Sequence, residues 1–153
     1  NLYYYYFAAK DNRFPEYNID LYMYMPVYKG KTPYKLNGLY AMPYYSGTWN
    51  TAVSAGSNAG SGWRLASMAD YRKLVGWTGS NYNDYENYSH RTLNADATYV
   101  SRIFKTSSNE NRHWSTDAYN DQYKRTLDIE SSTVGYYGHP DKAETQVYIL
   151  VHN

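Results

Sequence analysis

The apolar positions change period along the chain. In "IDLYMYM", residues 19–25, Ile19, Leu21, Met23 and Met25 alternate with Asp20, Tyr22 and Tyr24, which predicts a strand with one buried face. The run "LYYYYF", residues 2–7, is equally β-rich, and the polar stretch with Pro15 between the two fits the turn of a long hairpin. Residues 26–47 carry Pro26, Pro33 and Pro43 among short apolar pieces and read as brief extended segments joined by turns. From Thr48 the spacing becomes helical. Thr48 is placed to cap, Trp49, Ala52 and Val53 recur on one face, and Gly56 reads as a stop, giving a first helix over 48–56. After the glycine-rich "GSNAGSG", Ser67 with Asp70 three residues on has the form of a capping box. Met68, Tyr71, Leu74 and Val75 then line one face of a second helix over 67–75.

Residues 78–96 hold almost no aliphatic side chain and read as a long loop, a feature that in small domains is usually functional. "TYVSRIF", 98–104, is a short element of open type, and a strand begins at "HWS" near Trp114. In "YKRTLDI" Tyr123, Arg125, Leu127 and Ile129 alternate with their neighbours. "QVYILV", 146–151, is the most apolar run and reads as a central strand closing the domain. Trp49, Trp63, Leu65, Leu74, Trp114, Leu127, Ile149 and Val151 are the side chains expected to be buried together. The fold class is α+β, two short helices on a mixed, mostly antiparallel sheet.

Composition adds a functional hint. The chain has 22 tyrosines against 3 phenylalanines, with charged residues at 19 %. Tyrosine gives broad contact area with a polar tip at small entropic cost, which suits a surface that binds, although it also suits strands. A net charge of +1, from 15 basic and 14 acidic residues, supplies no long-range field for nucleic acid or anionic membrane. No apolar run approaches the roughly 20 residues of a membrane helix. The chain opens on Asn1 without an initiator methionine or signal pattern, and so reads as a mature protein or a piece of a longer one. With no cysteine, the compartment is not fixed by redox chemistry.

The ordered set Trp49, Ala52, Gly62, Trp63, Arg64, Leu65, Leu74, Trp114, Ser115 and Thr116 resembles the signature of bacterial C-type-lectin-like domains. That signature is tW-x-x-A-x-x-C, a glycine-rich gap, G-W-R-L-P-T and a later W-S-S/T. The resemblance covers roughly residues 48–151 and divides a single domain, 1–153, into a β-rich arm, 1–47, and a family-like core, 48–153. Ala66-Ser67 replaces Pro-Thr, and Ala55 stands where the family has a cysteine whose partner would fall near Leu150. A disulfide exchanged for an apolar contact would remove both thiols together. The resemblance implies a ligand-displaying scaffold of the kind found at the tips of intimin-like and invasin-like adhesins and in retroelement-diversified receptor-binding proteins. It also implies an extracellular or bacterial surface location.

The residues supply no catalytic constellation. His90, His113, His139 and His152 lack ligand spacing, no G-x-S-x-G, Walker or G-x-G-x-x-G sequence occurs, and Asp84 with Glu86 reads as a solvated pair, so no enzyme is expected. "NDYEN", 83–87, and "NEN", 109–111, offer oxygen ligands, but no calcium loop organises them, and binding without metal or other cofactor is expected. The candidate ligand surface is the 78–96 loop with Tyr82, Asn83, Tyr85 and Tyr88, joined by Tyr119 and Tyr123 from the stretch after Trp114. The expected partner is a glycan or protein on another cell surface. Alternatives are a retroelement-diversified receptor-binding protein, against which the spread of tyrosines along the whole chain argues, and a structural subunit of an extracellular fibre pairing through "NLYYYYF".

Overall fold

The computed structural model describes residues 31–75, 91–92, 101–106, 111–129, 133–137 and 139–153. The strands expected at 2–7 and 19–25 lie outside them. The chain divides into two units, Asn1–Pro33 and Tyr34–Asn153. The second unit is α+β. Strands β1 (Tyr34–Leu36), β2 (Leu39–Ala41), β10 (Leu150–His152) and β4 (Arg64–Leu65) form a four-stranded sheet in the order β1-β2-β10-β4, with antiparallel neighbours throughout. A six-stranded sheet runs β3 (Tyr45–Gly47), β9 (Gln146–Tyr148), β6 (Arg112–Ala118), β7 (Lys124–Ile129), β8 (Thr133–Tyr137), β5 (Arg91–Thr92). Its one parallel pairing is β6 with β9. Arg91–Thr92 is therefore a strand within the stretch expected to be loop, and residues 101–103 are helical.

The run 146–151 is not one strand. β9 belongs to the larger sheet and β10 to the smaller, and the chain crosses at Ile149, whose carbonyl accepts from the Ala66 N–H at 3.0 Å. Segment 39–47 runs antiparallel beside it and crosses at the same level. Ala41 pairs with Val151, the Met42 N–H reaches the Leu150 carbonyl, and Tyr45 pairs with Tyr148. Pro43 has no N–H to give the ladder, and Tyr44 donates instead to the Ile103 carbonyl at 2.8 Å. From Val147 to Val151 every side chain is buried, as a strand covered on both faces requires. β7 shows the same departure from alternation. Thr126, Leu127, Asp128 and Ile129 are all buried, so this central strand, between β6 and β8, is covered on both faces there.

Two short helices pack on these sheets: α1, Trp49–Asn58, and α2, Met68–Leu74. Thr48 caps α1 by accepting from the Thr51 N–H. Ser67 and Asp70 form the capping box of α2, and Asp70 also binds Arg64 at 2.8 Å, so one carboxylate satisfies the helix end and holds β4 beside it. At the other end of α2 the Leu74 carbonyl accepts from the side chain of Asn37. Asn37 and Gly38, at φ 49° and 83°, are the turn of the β1–β2 hairpin, where both central residues need positive φ. Gly56 does not stop α1, which continues to Asn58. It is buried within the helix, and a Cβ there would lie 2.8 Å from the Leu65 nitrogen and 2.9 Å from the Arg64 Cα. The glycine is needed for close approach of helix to strand.

The core gathers Leu36, Leu39, Met68, Tyr71, Leu74, Phe104, Leu127, Ile129, Ile149 and Val151 among others. Trp63, Leu65 and Trp114 are buried as well, but Trp49 is only half-buried, contrary to the expectation from its size. Among the described residues the core includes one histidine. His113 is fully buried beside the rings of Tyr71 and Phe104. Its Nε2 accepts from the Lys105 N–H at 3.2 Å, which leaves the Nδ1 hydrogen to the Asn111 carbonyl at 2.8 Å and fixes the neutral tautomer. Burial pulls its pKa from the ordinary 6.5 to about 4, against the opposing pull of the Asn111 and Leu127 carbonyls.

Gly56→Ala tests the close approach. Helix propensity alone favours alanine by about 1 kcal/mol, whereas backbone crowding should outweigh it and leave the variant about 1–3 kcal/mol less stable, read from denaturant midpoints. The histidine gives a pH prediction. An unfolded chain takes up the His113 proton near pH 6.5 and the folded chain only near 4. The contribution is therefore fully present above pH 6.5, declines as pH falls from 6.5 to 4 and levels off below. It amounts to roughly 3 kcal/mol at about 1.4 kcal/mol per pH unit. Stability curves of wild type and His113→Asn between pH 7 and 4 should converge as pH falls, and parallel curves would place the titration elsewhere.

Candidate functional site

β6 and β7 form an antiparallel hairpin whose register is interrupted between Trp114 and Ala118. The bulge gathers the elements around it. Ser115 Oγ donates to the Arg125 carbonyl, the Thr116 N–H to the Ala66 carbonyl, and Asp117 accepts the N–H of Met68 at 2.8 Å, at the start of α2. The Trp114 indole donates to the Gly47 carbonyl, and the buried Tyr71 hydroxyl to the Trp114 carbonyl at 2.7 Å. Trp49 is half-buried because its role is partly polar. Its indole N–H donates to the Ser115 carbonyl at 2.8 Å, its backbone N–H to the Lys142 carbonyl, and the Lys124 ammonium lies 4.5 Å from the centre of its ring.

The hairpin tip, 119–123, stands on this base. Asn120 closes it: its side-chain oxygen accepts from the N–H groups of Gln122 and Tyr123, and its carbonyl accepts from Lys124 Nζ. The Tyr119 and Asn120 N–H groups both point at the Tyr123 carbonyl. A second loop, 139–145, docks alongside through Lys124 N–H to the Pro140 carbonyl and Lys142 N–H to the Gln122 carbonyl at 2.9 Å. Asp141 ties the two loops by accepting from the Gln122 amide at 2.7 Å while its other oxygen takes the Ala143 N–H. The Ala143 N–H first, and the Gln122 amide second, hold that carboxyl below its ordinary range. Both loops are thus fixed by their own polar side chains and not by a core.

On this support Tyr119 and Tyr123 are exposed at 48 % and 37 %. The His139 ring stacks on Tyr119 at 3.8 Å and meets Tyr123 edge-on at 6.0 Å, and the Arg125 guanidinium lies 5.5 Å from the Tyr119 ring centre. The result is a surface group of three rings and a cation, carried on two loops that brace each other. Of the residues expected to form the site, Tyr119 and Tyr123 are brought together, while Tyr82, Asn83, Tyr85 and Tyr88 lie outside the described residues. His139 and Arg125 were not expected there. Their signal in the sequence is slight: His139 precedes a Pro-Asp turn 20 residues from Tyr119, and only the docking of the second loop joins them.

Among the described residues no three His, Cys, Asp or Glu side chains gather as metal ligands would, and no helix is long and apolar enough to cross a membrane. Compared with protein-family models, with curated proteins and with solved structures, the chain matches none.

Proposed function

We propose that the chain is a ligand-binding module with a C-type-lectin-like fold, the adhesive part of a bacterial secreted or surface protein that recognises a glycan or protein on another cell. The observation that carries this reading is the exposed Tyr119–His139–Tyr123 group on two mutually braced loops. Exposed rings with polar tips on a rigid support are an economical source of binding energy, since little side-chain entropy remains to be lost. The resemblance to the family gains support from the contacts among the residues that carry it. Trp49 bonds Ser115, Trp114 lies in the core, and the Arg64 of the Gly-Trp-Arg-Leu stretch pairs with the cap of α2. Ala55 and Leu150, at the positions of the family's disulfide, are both buried, on α1 and on the strand it packs against. The module binds without calcium, acts as a binder and not as a catalyst, and works outside the cell.

Tyr119→Ala and Tyr123→Ala should each weaken binding by about 1–2 kcal/mol, about five- to thirtyfold, while stability changes by less than about 0.5 kcal/mol. A glycan array and a cell-binding assay, each run with wild type and both variants, read this directly. Loss of stability with binding intact would make the rings packing elements. Loss of wild-type binding in EDTA would make the site calcium-dependent.

A further inference from the structure

A second polar feature lies at the opposite end of β6 from the aromatic group, about 20 Å away at 3.3 Å per residue along the strand. It is an open cleft of about 260 Å³ lined by Ser46, Lys105, Asn111, Arg112, Thr145, Gln146 and Val147. Four stretches converge there. β3 and β9 bring Ser46 and Gln146 through their antiparallel pairing, and β6 lies parallel to β9 with His113 opposite Val147, which sets Arg112 beside Gln146. Lys105 comes from the segment ahead of β6.

The buried His113 fixes this wall. Its two ring nitrogens bond the Lys105 N–H and the Asn111 carbonyl, so one neutral imidazole holds the stretch that carries Lys105 against the start of β6. Asn111 is only 4 % exposed and is anchored further, its N–H to Asp128 Oδ1 at 2.7 Å and its amide to the Ile129 carbonyl at 3.0 Å. Gln146 is steadied from outside the cleft by Glu144 at 3.1 Å. Among the described residues the lining therefore holds two cationic side chains, two amides and two hydroxyls, and no carboxylate. Arg112 presents five N–H donors, enough to serve a neighbour and a ligand at once. The cleft's volume lies just below the roughly 300 Å³ at which drug-sized pockets begin, which suits one small polar unit. The net charge of +1 gives no field that would draw a polyanion such as nucleic acid.

From this geometry we infer that the cleft between β3, β9 and the start of β6 is a subsite for one acidic sugar residue, its carboxylate held by Lys105 and Arg112 and its hydroxyls by Asn111, Gln146, Ser46 and Thr145. The inference rests on the reading of the chain as a glycan-binding module and names the class of glycan, at a place separate from the aromatic group.

Titrations of nitrogen-labelled protein with N-acetylneuraminic acid, glucuronic acid, galactose and inorganic sulfate, followed by amide resonances, test it. At least one of the two acidic sugars should shift Lys105, Asn111 and Arg112 at millimolar concentration, whereas galactose should not. Added sodium chloride should weaken that binding, and Lys105→Gln and Arg112→Gln should each lower it about tenfold, the value of one charge-assisted hydrogen bond. Lys105 is exposed, so its variant tests the site even if Arg112→Gln unfolds. Tyr119→Ala should leave these shifts unchanged. Sulfate binding as tightly as the sugars would reduce the cleft to a general anion contact and overturn the inference, as would an absence of shifts there with both acidic sugars. Neutral glycans bound through Tyr119 with an unresponsive cleft would refute the inference while sparing the adhesive reading. Acidic sugar bound in the cleft, with cell and glycan binding unaffected by Tyr119→Ala and Tyr123→Ala, would uphold the inference and overturn the assignment of adhesive binding to the aromatic group.

Discussion

The structure depends on two neighbouring segments, 39–47 and 146–152, that leave one sheet and enter the other together. Each supplies a strand to both sheets, and the hydrogen bonds between them continue on either side of Pro43 and Ile149. At the crossing the ladder has to be replaced, since Pro43 cannot donate. The neighbouring groups are met from elsewhere, Tyr44 by the Ile103 carbonyl and Ile149 by the Ala66 N–H. These substitutes bring in the segment ahead of β6 and the approach to α2. Shielding backbone polar groups from water demands such partners, because each unmet group would cost about 1–3 kcal/mol. The small elements of the chain are thus committed to one place by the crossing.

A second convergence, at the Ser115–Asp117 bulge, turns this support outward. The extra residues free backbone and side-chain groups from the ladder, and α1, α2 and β7 take them up through Trp49, Met68 and Arg125. The hairpin beyond the bulge is then fixed at its base, and Asn120 and Asp141 fix its tip. That division lets Tyr119 and Tyr123 stay exposed without becoming loose. At the other end of the same strand His113 does comparable work from inside, with a neutral imidazole replacing the two backbone partners that Lys105 and Asn111 would otherwise need.

What the sequence carried clearly was local. The cap at Thr48 and the box at Ser67 and Asp70 are settled by atoms three residues apart, so both helices could be read with their starting points. The Asn37-Gly38 turn is as local and was equally available, since two adjacent positive φ angles favour that pair. Gly56 shows where local reading ends: the same residue type serves as a stop or as a close contact, and only the position of β4 decides. Trp49 shows it again, because its size argues for burial while its indole N–H, with the Ser115 carbonyl as partner, holds it near the surface.

The sequence by itself determined where the helices that follow Thr48 and Ser67 begin and that 146–151 would be buried strand, because period, capping and apolar content are properties of neighbours along the chain. It also marked Tyr119 and Tyr123 as rings free of core duty. Only the tertiary structure divided 146–151 between two sheets, buried a polar-looking β7, and placed His139 on Tyr119 and His113 between Lys105 and Asn111. Those outcomes depend on which strand lies beside which, and hydrogen-bond partners drawn from distant parts of a chain leave no periodic trace in it.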